Sequence, residues 1–393
     1  MMNALPPPVT TGSPVPAPSS RNGEHARSAH PPHGKARLPS LTGLRFLAAL
    51  AVFCCHAGLM WQHAGGWPGL RVLNPGGPLG VTLFFILSGF VLTYSSRPKD
   101  SARKFWRRRT AKILPGHTIA WIAAVSVVWL GVARPLQEAG VTAWQDLLNL
   151  MLVQTFVPSP SGLAAGNGVA WSLSCEAFFY LLFPALLPLV NTISRRRLPL
   201  AALATALAAW IPATIAWMCG AHGHAMDVGL HEILRPPISY AYVFPPSRLP
   251  DFVLGMILAR LHDHYPPKQP RVAVAVLALA AAIGLCLVLP APYSVSALPL
   301  VPLALIIRFA AARDAQGLRS PLRKPALIRL GKWSYAFYLV HFTILAVLFH
   351  LWSGGWYVVP IGLALASTLL VSAAVYRFVE YPCCRTADAA EAR

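Results

Sequence analysis

The sequence predicts an all-α protein, a polytopic membrane helix bundle of about ten transmembrane helices with both termini in the cytoplasm. Of its 393 residues, 55% are hydrophobic and only 12% are charged, and the mean hydropathy is +0.53. Water-soluble domains carry about 25% charged residues. Apolar runs of roughly 20 residues, the length that crosses a bilayer, recur along the chain. Lysine and arginine cluster in alternate loops between those runs.

Ten apolar runs are candidates for spanning helices. They cover residues 43–62, 78–96, 113–132, 169–190, 199–219, 248–262, 272–290, 294–312, 333–352 and 356–376. The run at 248–262 is short and follows Pro245 and Pro246, so the sequence leaves its full crossing open. The segment WQDLLNLMLVQTF (144–156) is too short to cross, and we expect an interfacial or re-entrant helix there.

The distribution of basic residues predicts the orientation of the chain. Residues 97–112 hold eight lysines and arginines, Arg195–Arg197 follow the fourth run, and residues 313–332 carry six more. The alternate loops hold almost none. This positive-inside pattern places both termini in the cytoplasm of a multi-pass protein of the plasma (inner) membrane. Topology and attraction to anionic membrane lipids therefore account for most of the net charge of +20, and no nucleic-acid partner is expected.

Three regions follow from the composition. Residues 1–40 are rich in proline and serine, carry basic residues and lack an apolar core, which is typical of a disordered cytoplasmic tail rather than a cleavable signal peptide. Residues 41–385 form the transmembrane domain, and residues 386–393 form a short cytoplasmic tail.

Cysteine and histidine spacing predicts no metal site. The seven cysteines show neither ligand spacing nor a disulfide framework, and free thiols pack as small hydrophobic groups. The loop AHGHAMDVGLHE (221–232) has three histidines at irregular spacing, which favours a solvated loop over a zinc site.

Arg45 and His56 are the first candidate functional residues. They are eleven positions apart in the first apolar run, so on a helix they share one face and lie about 16 Å apart along the axis. Ionisable groups inside a membrane are functional candidates because they cost free energy in lipid. Glu176 in the fourth run lies at roughly the same depth as His56, about 10 Å from the outer surface. A carboxylate beside the imidazole would fix its tautomer and suit a general base, and the alternative is a polar contact between helices.

Further polar residues occur in the sixth and ninth runs. Arg248 and Asp251 are three positions apart, which fits either a satisfied ion pair or a site that orients a polar acceptor. Tyr338 and His341 lie near the middle of the ninth run, and His341 is either a structural core histidine or part of the site. In the second run, Ser88 and Gly89 are small residues of the kind that permit close helix packing.

The basic run RKFWRRRTAKILPGH has two interpretations that are compatible with each other. It orients the chain and attracts anionic lipid headgroups, and several cations at one membrane face also suit the polyphosphate of a phosphorylated donor.

These residues fall in blocks that resemble the integral-membrane acyltransferase-three family, the type that O-acetylates O-antigens and exopolysaccharides. The similarity runs from about residue 38 to 385. Seven blocks occur in the family's order: LTGLRFLAALAVFCCH, GVTLFFILSGFVLTYS, RRRTAKILPGH, WSLSCEAFFYLLFP, SRLPDFVLGMILA, GKWSYAFYLVHF and YRFVEYP.

The resemblance implies a membrane-bound O-acyltransferase, most simply an O-acetyltransferase. Such an enzyme moves an acyl group from cytoplasmic acyl-CoA, usually acetyl-CoA, to a hydroxyl of a cell-surface glycan or lipid-linked sugar, without a metal. His56 matches the family's essential histidine, Arg45 its partner arginine and Glu176 the acidic residue of the WSL block. The basic motif, implied to contact the CoA phosphates, corresponds to Arg108, Arg109 and Lys112.

Four positions depart from the family pattern. Lys112 stands where arginine is usual and lacks its bidentate geometry, and His117 replaces an aromatic residue. Ala177 replaces a second glutamate found in many members, and Asp251 shortens the usual glutamate. We expect no further domain after the last span and therefore expect the membrane domain to carry out transfer alone.

The resulting hypothesis has CoA bound at the inner face with its acyl arm rising past Arg45 to His56. His56 deprotonates the acceptor hydroxyl or accepts the acyl group transiently, while Arg248, Tyr338 and His341 are candidates for binding the acceptor. Two other classes stay open: a secondary transporter or flippase of a small polar substrate, and a non-catalytic membrane scaffold or sensor. O-antigen, capsule, exopolysaccharide, peptidoglycan and a hydroxylated small molecule are all possible acceptors, and the sequence does not fix the oligomeric state.

Overall fold

The computed structural model describes residues 36–65, 67–97, 100–132, 140–223, 236–269 and 271–389. Fifteen α-helices occur in this part of the chain, which contains no β-strand. They are α1 (Pro39–His63), α2 (Gly76–Tyr94), α3 (Ala102–Trp129), α4 (Ala143–Leu150), α5 (Pro160–Ala164), α6 (Trp171–Thr192), α7 (Leu198–Ala208), α8 (Trp210–Met218), α9 (Ile238–Tyr242), α10 (Pro245–His264), α11 (Val272–Cys286), α12 (Leu300–Ala315), α13 (Pro325–Leu351), α14 (Val358–Val375) and α15 (Tyr381–Ala389).

The chain is a multi-pass membrane protein with an all-α fold, as the sequence predicted. Eight helical stretches within the described residues are long and apolar enough to cross a bilayer. They are Pro39–His63, Gly69–Tyr94, Ala102–Trp129, Gly168–Thr192, Arg195–Met218, Tyr293–Ala315, Pro325–Leu351 and Val358–Ala387. Large apolar side chains on their outer faces are well exposed, such as Leu181, Leu200 and Leu370, which is the arrangement that lipid favours.

The remaining two predicted runs also form helices, but neither is among those eight. Helix α11 has only 15 residues. Helix α10 has 20 residues and contains Arg248, Asp251, Arg260 and Asp263. It packs against α2, α6, α7 and α12, and 12 of its residues are buried. Arg248 and Asp251 are among the buried residues and therefore face protein rather than lipid.

Several helix boundaries differ from the apolar runs for local reasons. Helix α3 begins eleven residues before its apolar run because Ser101 caps it, accepting a 3.3 Å hydrogen bond from the Lys104 amide, and basic residues are good helix formers. The run at 199–219 is divided at Ala209 between α7 and α8. Pro212 follows closely and cannot donate the hydrogen bond that would continue the helix.

The segment predicted to be interfacial or re-entrant folds back onto the bundle. Thr142 and Gln145 form a capping box that starts α4, and a 3-10 turn, Gln154–Phe156, follows. Asn149 and Asn167 hydrogen-bond each other, and Asn167 Nδ2 donates a 2.9 Å hydrogen bond to the Leu339 carbonyl in the middle of α13. The segment is therefore linked through Asn167 to the helix that carries Tyr338 and His341.

Helices α1 and α13 run in the same direction and approach closely. A side chain at Gly331 of α13 would meet the Thr42 carbonyl of α1, so glycine permits the contact. Further along, Phe337 contacts both Phe46 and Phe53. This pairing places the distal part of α1 beside the middle of α13.

The predicted tails lie largely outside the described residues. Residues 1–35 of the N-terminal tail are outside them, as are residues 390–393, while residues 386–389 continue α15. The three-region division and the cytoplasmic position of the termini stay predictions.

Candidate active site

A cavity opens among α1, α2, α3, α6 and α13, with about 710 Å³ of empty space including the part open to solvent. It brings together five of the nine residues that the sequence singled out, and Tyr180 joins them. The polar lining side chains used below are Arg45, Arg109, Lys112, Glu176, Tyr180 and Tyr338.

Three cations give the cavity a positive character. Arg109 and Lys112 are three positions apart and therefore share one face of α3, and Arg45 of α1 joins them. The Arg109 Nε is buried and makes no hydrogen bond. Glu176 is the acidic residue in the lining, so the described wall presents a net excess of positive charge. Such a surface suits an anionic ligand.

Glu176 is held by two hydroxyl groups. The Tyr180 hydroxyl, one turn further along α6, donates a 2.6 Å hydrogen bond to Glu176 Oε1. Ser88 Oγ of α2 donates to the same oxygen at 3.1 Å. Both bonds orient the carboxylate at the cavity wall.

Tyr338 connects the cavity to a second group of polar residues. Its hydroxyl accepts a 2.7 Å hydrogen bond from Ser172 Oγ and donates to the Val169 carbonyl at 3.1 Å. The Tyr338 ring contacts Phe84 on the cavity side and His341 beyond it, with ring centroids 5.9 and 5.7 Å apart.

His56 and His341 form a pair. His56 Nδ1 lies 2.8 Å from His341 Nε2. His341 is fully buried among the rings of Phe53, Phe337 and Tyr338, whereas His56 is half-buried. The sequence-based expectation that Glu176 lies beside His56 differs from this arrangement. The close approach of α1 and α13 gives that position to His341, and Glu176 bonds to Tyr180 and Ser88 instead.

Known proteins share this sequence pattern over most of the chain. The family model described as an acyltransferase domain, Acyl_transf_3, matches residues 38–377, the part that contains the cavity and the histidine pair. The chain belongs to this acyltransferase family. It is therefore an acyltransferase that transfers groups other than aminoacyl groups, and the resemblance seen in the seven sequence blocks is confirmed.

The names of similar proteins agree with this family assignment. Acyltransferase MdmB of Streptomyces mycarofaciens is 40% identical over 364 residues, covering 89% of this chain and 92% of that protein. Peptidoglycan O-acetyltransferase OatA of Listeria monocytogenes is 25% identical, covering 89% of this chain. A putative O-acetyltransferase of Staphylococcus aureus, SACOL0978, is also 25% identical and covers 88% of this chain. The chain spans little more than half the length of these two O-acetyltransferases, 56% and 57%. No solved structure matches the chain.

Two of the predicted residues, Arg108 and Arg248, belong neither to the cavity lining nor to the histidine pair. Arg108 pairs with Asp100, with Nη1 donating to Oδ1 at 3.2 Å and Nη2 contacting Oδ2. Arg108 is one position before Arg109 and therefore lies about 100° from it around the helix. Asp100 holds its guanidinium, and the side chain does not line the cavity.

Arg248 is fully buried at 0% exposure and is surrounded by protein groups. It forms a 2.6 Å ion pair with Asp251 and donates hydrogen bonds to Thr82 Oγ1 and the Val295 carbonyl. Its guanidinium also lies 5.5 Å from the centroids of both the Phe85 and Tyr242 rings. These contacts favour the ion-pair interpretation over the acceptor-binding one.

Three residues near the acyltransferase site were not predicted from the sequence. Tyr180 carries a weak signal, because it is four positions after Glu176 and so on the same helix face. Ser172 is an ordinary small residue in an apolar run. Glu380, which is buried and interacts electrostatically with Lys112, is 268 positions away along the chain, and only the tertiary fold brings the two together.

No group of three or more His, Cys, Asp or Glu side chains in the described part of the chain is arranged to hold a metal ion.

Proposed function

We propose that this acyltransferase is an O-acetyltransferase that uses cytoplasmic acetyl-CoA and acylates a hydroxyl of a cell-surface glycan or lipid-linked sugar. The observation that carries the proposal is the cation-lined cavity, which lies inside the membrane domain of a chain whose family transfers acyl groups. The Listeria relative is named a peptidoglycan O-acetyltransferase, which supports acetyl as the group and a glycan as the acceptor.

The cavity supports an anionic, phosphorylated donor. Arg45, Arg109 and Lys112 present three positive groups against the one carboxylate of Glu176. Arginine and lysine side chains bind phosphate oxygens through charge-assisted hydrogen bonds. In the predicted orientation, the first turns of α1 and α3 lie on the cytoplasmic side of the plasma membrane, where acyl-CoA is available. We assign the donor's phosphates to Arg109 and Lys112 and its arm to the space beside Arg45. Arg108, which pairs with Asp100, lies outside that assignment.

His56 is the proposed reacting residue. It is half-buried, and it lies about 16 Å along α1 from Arg45, so an extended donor arm connects the two positions. Tyr338 lies between the cavity and the histidine pair, which supports a place beside the path of the acyl group. Glu176 faces the cations and balances their charge.

Two routes through His56 are chemically complete. In the first, His56 takes the proton of the acceptor hydroxyl, the oxygen attacks the thioester carbonyl, and CoA leaves as the thiol after the proton is returned. In the second, His56 attacks the thioester carbonyl, the carbon–sulfur bond breaks and CoA leaves as the thiolate. The acceptor hydroxyl then displaces the acyl group from His56, and its proton passes to the CoA thiolate. Acid quenching during turnover separates them, because only the second route leaves an acyl group on the protein.

The experiment that tests the function uses purified protein in lipid vesicles with radiolabelled acetyl-CoA and a soluble glycan acceptor. We compare the wild type with His56→Ala and with His63→Ala, an exposed histidine in the last turn of the same helix. Acetyl transfer in the wild type and in His63→Ala, together with its loss in His56→Ala, supports the proposal. Equal transfer by His56→Ala contradicts the assignment of His56. Sugar flux across the vesicle without thioester cleavage favours the transporter alternative.

The acceptor is tested separately with a panel of hydroxylated compounds. The panel contains peptidoglycan fragments, lipid-linked sugars and a hydroxylated small molecule, each with the same labelled donor. Transfer to a glycan or lipid-linked sugar supports the proposed acceptor class. Transfer to the small molecule alone keeps the acyltransferase activity but contradicts the glycan acceptor.

A further inference from the structure

The hydrogen bonds of His341 determine which of its ring nitrogens carries a proton. His341 Nδ1 lies 2.7 Å from the backbone carbonyl oxygen of Tyr338. A carbonyl oxygen accepts hydrogen bonds and cannot donate them. His341 Nδ1 must therefore be the donor and carry hydrogen. In a neutral imidazole, the other nitrogen, Nε2, then has a lone pair and acts as an acceptor.

The same reasoning continues to His56. Its Nδ1 lies 2.8 Å from His341 Nε2, the distance of a good hydrogen bond. The two ring planes are inclined by only 18°, and the ring centroids are 5.1 Å apart. The distance between the centroids exceeds the distance between His56 Nδ1 and His341 Nε2 by about two imidazole ring radii. Both nitrogens therefore lie on the line that joins the two ring centres and point at each other. With His341 Nε2 as the acceptor, His56 Nδ1 must be the donor.

We infer that His341 is a positioning residue that holds His56 in the Nδ1–H tautomer, with the lone pair of His56 Nε2 directed to the reacting groups. The polar chain consists of the Tyr338 carbonyl, His341 and His56, in that order. The inference rests on the proposed function for its catalytic meaning, and it moves His341 from the predicted acceptor-binding set to a role that acts through His56.

The burial of the two rings supports this division of roles. His341 is fully buried, with aromatic rings of Phe53, Phe337 and Tyr338 around it, so it cannot meet a substrate directly. His56 is half-buried and packs edge-to-face with the Phe342 ring, with ring centroids 5.1 Å apart, so it is the more accessible of the two histidines. A buried residue that orients an accessible base is the arrangement that fixes tautomer and ring position in many catalytic histidines.

Both proposed routes need the same nitrogen. Whether His56 removes a proton or attacks the thioester, the reacting atom must have a free lone pair. The bond to His341 occupies Nδ1 and leaves Nε2. When His56 gains a proton at Nε2, His341 Nε2 continues to accept the hydrogen bond from Nδ1, so the charged imidazolium stays oriented.

Nitrogen NMR tests the tautomer independently of enzyme activity. The protein is labelled with ¹⁵N-histidine in lipid nanodiscs and measured at a pH at which the His56 ring is neutral. The His56 signals are assigned by their loss in His56→Ala. We expect a protonated Nδ1 and a bare Nε2 in the wild type. A proton on His56 Nε2 in the wild type overturns the inference.

Two substitutions at His341 test its part in this state. His341→Phe keeps a ring in the buried site and removes the acceptor, so His56 should shift toward the Nε2–H form that a histidine side chain favours in water. His341→Gln restores an oxygen acceptor near the position of Nε2 and should return His56 to the Nδ1–H form. If a folded His341→Phe variant keeps the His56 tautomer unchanged, the inference is overturned. If that variant does not fold, the wild-type spectrum alone decides.

Activity provides the second readout. Loss of acid–base function typically lowers turnover by about 100-fold or more. We expect a fall of about 100-fold in the turnover of His341→Phe, with the KM for acetyl-CoA nearly unchanged, and recovery to within about tenfold in His341→Gln. A purely structural role predicts no recovery in His341→Gln. If no form of the protein transfers an acyl group, the proposed function fails, while the NMR result still decides the tautomer.

Discussion

The Tyr180 hydroxyl donates a 2.6 Å hydrogen bond to Glu176 Oε1 at the wall of the cation-lined cavity. The two residues are one turn apart on α6, so the helix itself sets their separation. Ser88 of α2 donates to the same oxygen and ties the carboxylate to a second helix. The only acid in the described lining is thereby fixed in direction by partners on two helices.

Replacing Tyr180 by phenylalanine should lower acyl transfer without unfolding the protein. The substitution keeps the ring and removes one hydrogen bond to a charged group, a loss of about 1.5–3 kcal/mol. If that loss is expressed in the transition state, kcat/KM falls by roughly 10- to 100-fold. The measurement is acetyl-CoA turnover in lipid vesicles.

Tyr357→Phe is the matched control for this substitution. Its hydroxyl also donates a single hydrogen bond, to the Ala64 carbonyl at the end of α1, but it does not line the cavity. We expect near-normal turnover. Equal losses in the two variants would show that Tyr180 contributes only to the fold.

Arg109→Ala should weaken the binding of the phosphorylated part of the donor. Arg109 lines the cavity and its buried Nε has no hydrogen-bond partner, so it is available to an anion. We expect the KM for acetyl-CoA to rise by roughly 10- to 100-fold, the loss of one charge-assisted contact. A truncated thioester, S-acetyl-N-acetylcysteamine, lacks the phosphates, and its kcat/KM should change little.

Arg103→Ala supplies the control, since Arg103 is an exposed arginine on the first turn of the same helix. This substitution should leave the kinetic constants for both donors unchanged. If Arg109→Ala lowered kcat/KM equally for the full and the truncated donor, its contact would not be with the phosphates.

The sequence predicted those parts of the site that depend on periodicity along a single helix. Arg45 and His56 lie on one helix, and Arg109 and Lys112 share one face, because 3.6 residues per turn determines both arrangements. Lateral neighbours were harder to predict. His341 takes the place beside His56 that was expected for Glu176, because the close contact at Gly331 and Thr42 brings α13 against α1. Helix periodicity shows that a polar residue faces protein, but it does not show which of about nine other helices it faces.

The position of α10 illustrates the same limit. The run at 248–262 is short and follows Pro245 and Pro246, so the sequence leaves its full crossing open. In the structure the polar groups of this helix, led by Arg248 and Asp251, meet partners on neighbouring elements. The close packing predicted from the small residues of the second run is confirmed at Gly89, which contacts α10 directly.

Asp251→Ala should destabilise the bundle strongly. Asp251 is 1% exposed and forms a 2.6 Å ion pair with the fully buried Arg248, so its removal leaves an uncompensated buried charge. Breaking one partner of such a pair costs about 3–5 kcal/mol. We expect a lower midpoint of unfolding in detergent, measured by a thermal shift of the purified protein.

The double variant Arg248→Met with Asp251→Leu separates charge from packing. Replacing a buried pair by apolar residues of similar volume is often neutral or stabilising. The double variant should therefore be more stable than Asp251→Ala and should retain acyl transfer, because Arg248 is enclosed by protein. Loss of activity in a stable double variant would restore the prediction that Arg248 binds the acceptor.

Alanine should be destabilising at Gly89, where two helices touch, and should not be destabilising at Gly284, where there is open space. At the crossing of α2 and α10, a Cβ at Gly89 would meet the Phe252 carbonyl, and a Cβ at Gly255 would meet the Ile86 carbonyl. Both obstacles are helix backbone, which cannot move aside as a flexible side chain does. Gly89→Ala should therefore force α2 and α10 apart and lower the unfolding midpoint, since overpacking costs about 1–3 kcal/mol.

Gly284→Ala, in α11, is the control for Gly89→Ala. Gly284 also lies inside a helix, but a Cβ there has nothing within 4 Å. Because alanine is a better helix former than glycine by about 1 kcal/mol, Gly284→Ala should leave the midpoint unchanged or raise it. Helix propensity alone predicts the same sign at both positions, whereas close backbone packing predicts opposite signs. A stabilising Gly89→Ala would mean that α2 and α10 are not in direct backbone contact.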